Sequence, residues 1–274
     1  MKNIVVLIDF TAPTEAALQH GLIMARKTES MLTLLHVVKD IGEQTSALEK
    51  MRQLASKYKH GGIEMRLDVQ VGKIEDLALL AEAMQANLVY LGTHGLKGLQ
   101  YLFGSKALQL ISKSKVPYII VQEPPAHMGI KNIVVPMDGT VEEKQILQPV
   151  MELAGKFQSK LHVFGAHYTD EFLQKKTTLN LQFTEKLLQK NRISYVCMSH
   201  APKKTFLNDL LGYAEKEQAD LIAIINHQED GFKNLFGTHF DQAVMTNGAK
   251  IPVLVMNFTQ IYHVVDLFTG MTKV

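Results

Sequence analysis

Short apolar runs alternate with amphipathic stretches along most of the chain. The apolar runs are continuous, which is typical of parallel strands buried on both faces of a sheet. In the stretches between them, apolar residues recur at three- and four-residue spacing, as in helices that cover a sheet. This alternation predicts an α/β fold with a doubly wound parallel sheet, whose ligands bind beyond the carboxyl ends of the strands.

The first half of the chain contains one full set of such elements. The predicted strands are residues 4–8, 31–38, 65–71, 88–91 and 118–121. A first helix should begin near Pro13 and bury Leu18, Gly21, Leu22 and Ala25. A second should carry Leu48, Met51, Leu54 and Ala55 on one side, and further helices are predicted for residues 74–84 and after Ser105.

The second half repeats the first. The segment Lys2-Asn3-Ile4-Val5-Val6 recurs 129 residues later, and Leu102-Phe103-Gly104-Ser105 returns as Leu235-Phe236-Gly237-Thr238. Two copies at so long a period indicate tandem domains. We expect domains at residues 1–124 and 131–257, joined by a short linker, and an apolar C-terminal tail at residues 258–274 that packs on its own domains or on another chain.

The predicted elements of the second copy follow the same order. Its strands should be residues 133–137, 160–164, 193–198, 221–225 and 253–256. Its helices should be residues 141–157, 171–190 and 204–217, with a short one before the last strand. The last strands of both copies, 118–121 and 253–256, are apolar edges, so we expect them to pair within one chain as a pseudo-dimer, with a further homodimer left open.

Composition excludes several classes of function. The formal net charge of +2 gives no electrostatic case for nucleic acid as a partner. A single cysteine, Cys197, leaves no internal disulfide and no paired-cysteine metal site. No apolar run approaches the roughly 20 residues of a membrane span. Because the N-terminal apolar run is also too short for a signal peptide, we expect a cytoplasmic protein with no membrane partner.

Glycines follow the strand at residues 88–91. Gly92, Gly95 and Gly98 form a loop, and Gly104-Ser105 precedes a helical pattern. A strand, a glycine loop and a helix N-terminus together favour an anion such as phosphate, because unpaired N–H groups and the helix dipole point at it. The spacing matches neither a P-loop nor GxGxxG. A tight turn without ligand is the alternative interpretation.

This stretch resembles the nucleotide-binding signature of the universal stress protein family, G-x2-G-x9-G-[S/T]. The matching residues are Gly92, Gly95, Gly104 and Ser105, although only eight residues separate Gly95 from Gly104. The resemblance implies that this loop, with Thr93 and His94 between its first glycines, holds the phosphates and ribose of ATP. Whether Mg²⁺ accompanies the phosphates is open.

The resemblance adds two residues from other strands. It makes Asp9, at the end of the first strand, the carboxylate that contacts the adenosine part, while the alternative is an N-cap for the following helix. It also implies that Val37 contacts the adenine edge through its backbone, although a buried strand valine is equally expected there. For Asp138, the counterpart of Asp9, we favour the cap.

The second copy lacks the glycine loop. Where the first has Gly92-Thr93-His94-Gly95, the second has Asn226-His227-Gln228-Glu229, followed by Asp230. Two carboxylates would therefore face the phosphates, and each like-charge contact costs about 4 kcal/mol at about 4 Å. We expect one nucleotide site per chain and a structural or regulatory role for the second domain.

The function implied is a stress-response protein that binds ATP in its first domain and acts by conformation or by recruiting an unknown protein partner. No nucleophile elbow, paired carboxylates or P-loop lysine is evident, so an enzyme is not expected. The alternatives are an interaction module that does not bind nucleotide, and a hydrolase or transferase acting on the nucleotide.

Overall fold

A computed structural model of the chain describes residues 2–58, 62–73, 76–93, 114–138, 142–202, 205–226 and 238–257. The chain divides into two compact units, Met1–Met128 and Gly129–Val274. Each unit contributes five parallel strands with helices packed against them.

Strands and helices alternate in the first unit. Its strands are β1 (Asn3–Leu7), β2 (Met31–Val38), β3 (Met65–Val71), β4 (Leu88–Gly92) and β5 (Tyr118–Val121). Its described helices are α1 (Ala12–Thr28), α2 (Gln44–Ser56) and α3 (Leu77–Ala83), with a 3-10 turn at Ile41–Glu43 before α2. The strands β1, β4 and β5 are buried along their whole length, as their continuous apolar runs predict.

The strand order of the first unit is β3-β2-β1-β4-β5, and each pair is parallel. The chain winds outward from β1 to β3 and then returns to place β4 on the other side of β1. The carboxyl ends of β1 and β4 therefore border a topological switch point, where ligands of doubly wound sheets bind.

The second unit repeats this architecture. Its strands are β6 (Asn132–Met137), β7 (Lys160–His167), β8 (Ser194–Pro202), β9 (Leu221–Asn226) and β10 (Val253–Asn257), in the order β10-β9-β6-β7-β8. Its described helices are α4 (Leu147–Phe157), α5 (Glu171–Lys190), α6 (Phe206–Lys216) and α7 (Thr238–Met245). The predicted fold class, two tandem doubly wound parallel-sheet domains, is thereby confirmed.

Several local predictions differ from the structure, and β7 and β8 extend beyond their predicted ends, to His167 and Pro202. The helix predicted for residues 141–157 begins as a 3-10 turn at Glu142–Ile146 and becomes α-helical only at Leu147. Pro149 explains the late start, because proline has no N–H and is tolerated only in the first turn of a helix. In α2, Ala47 is buried and Leu48 is only half-buried, so the inner face begins one residue earlier than predicted.

Each unit contains a similar buried polar network, which starts at the first strand of that unit. Asn3 Oδ1 accepts a hydrogen bond from Thr33 Oγ1 (2.8 Å), and Asn3 Nδ2 donates to Met84 O (3.1 Å). In the second unit, Asn132 Oδ1 lies 3.2 Å from His162 Nε2, and Asn132 Nδ2 donates to a helix-end carbonyl in the same way. The network satisfies polar groups that would be costly to bury unpaired, which explains why the Lys-Asn-Ile motif begins both copies.

His162 replaces Thr33 in this network and is 1% exposed. Because Asn132 Oδ1 can only accept, His162 Nε2 carries the proton and Nδ1 accepts from Tyr213 Oη at 2.7 Å. Burial lowers the pKa of His162, and the positive charge of Lys160 lowers it further, against an opposing effect of Glu217. The folded second unit therefore favours the neutral form of the His162 imidazole.

We expect the second unit to lose stability as the pH falls. A histidine whose pKa is lower in the folded than in the unfolded chain contributes stability that is complete above about pH 6.5 and decreases below it, because the unfolded chain binds the proton more readily. Native-state hydrogen exchange of the β7 amides should show this loss in the wild type and a smaller loss in His162→Thr. The β2 amides, beside Thr33, are the internal control. Equal acid sensitivity of β7 in both proteins would contradict the assignment.

Candidate functional site

The candidate site lies at the carboxyl ends of β1, β2 and β4. Asp9 follows β1 and is half-buried, Val37 is near the end of β2, and Gly92 ends β4. The register of the strands sets these three residues at the same edge of the sheet. The structure therefore brings together the sequence-predicted residues that it describes.

One oxygen of the Asp9 carboxylate organises the turn into α1. Oδ1 accepts hydrogen bonds from Thr11 N (2.9 Å), from Thr11 Oγ1 and from Thr14 Oγ1 (2.9 Å). The N-cap position itself belongs to Thr11, whose side chain makes no capping bond. The cap interpretation of Asp9 is thus wrong in detail, although the carboxylate does stabilise the turn. Among the described residues, Oδ2 of Asp9 has no hydrogen-bond partner.

The residue after Asp9 has a strained backbone. Phe10 has φ of 65°, a left-handed conformation that is uncommon for a bulky residue and costs about 1–2 kcal/mol. Its ring packs against His36 with centroids 4.7 Å apart, and the Nδ1 of His36 donates to Ile8 O at 2.6 Å. This contact ties the end of β2 to the turn after β1. Such outliers cluster at functional sites because the surroundings must enforce them.

The backbone of Val37 faces the opening beside Asp9. Carbonyl directions alternate along a strand: Leu35 O accepts from Ile8 N on the β1 side, whereas Val38 O accepts from Gly72 N on the β3 side. The N–H and C=O of Val37 therefore face the β1 side, at a level where β1 has already ended. Within the described part of the chain, the segment after β1 makes no hydrogen bond to either group.

Gly92 is needed for packing of the protein on itself. A Cβ at Gly92 would lie 2.1 Å from Pro13 O and 2.5 Å from Thr14 N, so the first turn of α1 occupies the space of a side chain. Gly92 is a regular β4 residue. The sequence analysis placed Gly92 in a nucleotide-binding loop, whereas in the structure its missing side chain makes room for α1. The next residue, Thr93, is fully buried and donates its N–H to Val121 O (2.9 Å).

The remaining predicted site residues, His94, Gly95, Gly104 and Ser105, lie outside the described residues, as do Glu229 and Asp230 of the second copy. The apolar tail at 258–274 is outside them as well. These predictions stay predictions.

The same edge of the second unit is more closed. Asp138 is only 5% exposed, and its carbonyl oxygen accepts a hydrogen bond from Thr177 of α5 at 2.9 Å. Gly165 stands where the first unit has His36, and Leu181 of α5 fills the space of its missing side chain, 2.7 Å from an added Cβ. The helix therefore covers the end of β7.

The sheet register corrects the alignment of the two copies. Ile4 pairs with Leu88 in the first unit and Ile133 with Leu221 in the second. Counting along the strands, the equivalent of Gly92 is Ile225, with Asn226 one position later. Because Ile225 has a side chain, a helix cannot approach β9 as α1 approaches β4, which agrees with the 3-10 turn that precedes α4.

The site offers no metal cluster or thiol chemistry in the part that the structure describes. No group of three or more His, Cys, Asp or Glu side chains there could hold a metal ion. Burial and the nearby charge of Glu185 raise the pKa of Cys197 to about 12, so this thiol stays protonated.

Two contributors to the site escaped the sequence analysis, Phe10 and the side chain of His36. A loop phenylalanine carries no signal for a positive φ. The Ile8 contact of His36 depends on strand register, which sequence patterns alone do not reveal.

Comparison with known proteins agrees with this architecture. The model of the universal stress protein family matches residues 1–122. A universal stress protein from Archaeoglobus fulgidus DSM 4304 has the same fold, with a TM-score of 0.71 and 16% identity over 93% of this chain and 98% of that chain. A candidate universal stress protein from Pseudomonas aeruginosa UCBPP-PA14 gives 0.67 and 16% over 98% of both. A protein of unknown function from Pseudomonas aeruginosa PAO1 gives 0.66 and 17% over 99% and 98%.

The fold and the open sheet edge thus define a tandem pair of doubly wound α/β domains. Over its first 122 residues the chain is similar to the universal stress protein family. No curated protein sequence matches the chain. In the regions that the structure describes, no helix has the length and apolar character needed to span a membrane.

Proposed function

We propose that the first domain binds ATP at the edge formed by Asp9, Val37 and the glycine loop that follows Gly92. The observation that carries the proposal is a matched set of open groups at the switch point: Oδ2 of Asp9, and the N–H and C=O of Val37 beside it. None of these three groups has a hydrogen-bond partner within the described residues. Asp9 lies in the β1–α1 turn, and the contacts of His36 tie the end of β2, with Val37, to that turn.

These groups have the chemistry that adenosine needs. A backbone N–H and C=O side by side can pair with N1 and N6 of adenine, and a carboxylate oxygen can accept from ribose hydroxyls. A glycine loop before a helix N-terminus provides N–H donors for phosphates. In this proposal the nucleotide runs from Val37 past Asp9 toward the loop that follows β4 in the sequence. If Mg²⁺ takes part, the phosphates supply its ligands.

The second domain does not bind nucleotide in this proposal. The closed edge supports this: Asp138 is buried, and Leu181 packs on Gly165 where the first unit has an open turn. Glu229 and Asp230 add like charge to the loop in the sequence.

We therefore expect calorimetric titration of the full chain to give one ATP per chain. The physical reason is that only the first domain combines an open edge with a glycine loop. Two equivalent sites would contradict the closed second edge, and absence of binding would contradict the proposal as a whole. In that second case, the interaction-module alternative remains.

The role of the bound nucleotide is conformational: it sets the state in which the protein meets a partner. We expect no steady release of phosphate or pyrophosphate by purified protein, since the sequence shows no nucleophile elbow, paired carboxylates or P-loop lysine. Sustained turnover that disappears in Asp9→Asn would instead favour the hydrolase alternative. Analysis of small molecules released on heating the purified protein separates ATP from other adenine nucleotides.

A further inference from the structure

Helix α5 of the second unit has large apolar side chains on its outer face. Phe172 is 65% exposed, Leu179 54% and Phe183 48%. The opposite face is buried in the core and consists of Thr177, Asn180, Leu181, Thr184 and Leu188. The packing of the domain uses this opposite face, so it does not explain the apolar side chains of the outer face.

Lysines complete the outer face. Phe172, Lys176, Leu179, Phe183, Lys186 and Lys190 follow one another at three- and four-residue spacing, so they form one stripe along the helix, which we call the α5 stripe. It is about 27 Å long at 1.5 Å per residue. Lys176 Nζ lies 4.6 Å from the ring centre of Phe172, and Lys144 Nζ lies 5.1 Å from that of Phe183. No Asp or Glu occurs at these positions of the stripe.

The equivalent helix of the first unit provides an internal comparison. Helix α2 also connects the second and third strands of its domain, and its exposed residues are all polar: Thr45, Ser46, Glu49, Lys50, Arg52, Gln53 and Ser56. The fold thus does not require an apolar outer face at this place. The α5 stripe is a property of the second domain alone.

We propose that the α5 stripe adsorbs the protein to an anionic lipid surface. The lysines match negative headgroups, and each lysine near such a surface strengthens binding about fivefold. The protruding Phe and Leu side chains can insert between headgroups, as in interfacial amphipathic helices. Adsorption to the surface differs from spanning the membrane. The composition of the chain argues only against a membrane-spanning segment.

The size, shape and charge of the stripe favour lipid over a protein partner. A stable protein interface uses about 20–30 residues on each side, whereas the stripe has six on a convex helix surface. A bilayer surface deforms around such a ridge and needs no matching groove. A second copy of the same helix is disfavoured because facing lysines repel each other. The inference is independent of nucleotide binding, since the stripe lies wholly in the second unit.

The test is flotation of the full chain with vesicles made from equal parts of phosphatidylcholine and phosphatidylglycerol. We expect binding at about 0.1 M salt, weakening by at least about tenfold near 1 M salt, and none to phosphatidylcholine alone. Replacing the three apolar residues of the stripe by glutamine should abolish flotation. The change is safe for the fold because these residues are exposed and glutamine favours helix.

A matched variant separates the stripe from general hydrophobicity. It replaces three exposed apolar residues elsewhere by glutamine: Ile41, Leu79 and Met128, which are 74%, 67% and 70% exposed. This control should float like the wild type. Absence of flotation with anionic vesicles, or equal flotation of both variants, would overturn the proposal.

Two further outcomes would reassign the stripe. Saturable binding to a synthetic Leu/Glu amphipathic helical peptide, without vesicle binding, would identify an acidic protein segment as the partner and refute the lipid assignment. A dimer in light scattering that dissociates only in the stripe variant would identify a second copy of the chain instead.

Discussion

Replacement of Gly92 by alanine is expected to destabilise the first domain by about 3 kcal/mol or more. The added Cβ would meet Pro13 O at 2.1 Å and Pro13 C at 2.3 Å. Both atoms belong to the backbone of the first turn of α1, so no side-chain rotation can relieve the overlap, and either α1 or β4 must move. Overpacking of a buried site usually costs about 1–3 kcal/mol, and backbone contacts fall at the upper end or above it.

Two other glycines are the matched controls for this measurement. Gly155 in α4 and Gly212 in α6 are exposed helix residues with no neighbouring atom within 4 Å of an added Cβ. Their replacement by alanine should raise the free energy of unfolding by about 0.4–1 kcal/mol, because alanine restricts the unfolded chain. Denaturant titration of the three variants is sufficient. If the free energy of unfolding of Gly92→Ala fell by less than about 0.5 kcal/mol, α1 would not pack on β4 as closely as described.

Two substitutions of Asp9 should separate its structural from its binding role. Asp9→Asn keeps an oxygen for Thr11 and Thr14 but replaces the outward oxygen by an amide and removes the charge. We expect stability to change by less than about 1 kcal/mol and ATP affinity to fall about tenfold, which is about 1.4 kcal/mol. Asp9→Ala should lose affinity as well, and in addition about 2–3 kcal/mol of stability, because three donors lose their acceptor.

The control for Asp9 is a carboxylate with a purely structural task. Asp170 is the N-cap of α5 and accepts from Leu173 N at 2.9 Å. Asp170→Ala should cost about 1 kcal/mol of stability and leave ATP affinity unchanged. Calorimetry and denaturant titration on the same preparations distinguish the cases. Full ATP affinity in Asp9→Asn would show that Oδ2 does not contact the ligand.

The sequence was sufficient for the fold because burial on both faces leaves a clear pattern. Strands β2, β3 and β5 were predicted with their observed bounds, although β3 alternates apolar and polar residues, and α5 was predicted from end to end. The repeated Lys-Asn-Ile motif revealed the tandem domains. Its reason, the buried network of Asn3 and Asn132, required the structure, because the partners of these side chains are about 30 to 90 residues away.

The site was less predictable, for reasons that particular residues illustrate. A glycine can be required either by a bound ligand or by a closely packed neighbouring backbone. The motif alone therefore could not show that Gly92 is needed for the packing of α1 on β4. Likewise, Asn226 was aligned with Gly92 because the sequence does not record strand register, which places Ile225 there. The strain at Phe10 and the closure of the second edge by Leu181 arise from tertiary packing and leave no local signal.

The most direct test of the central claim is the exchange of the Val37 amide proton with solvent, measured with and without saturating ATP. If adenine pairs with the backbone of Val37, exchange at this amide should slow markedly when ATP binds. The amide of Ala166, the equivalent residue of β7 by strand register, should not respond. If ATP saturates the protein and the Val37 amide exchanges at an unchanged rate, or if Ala166 is protected instead, the nucleotide does not bind at this edge of the first domain.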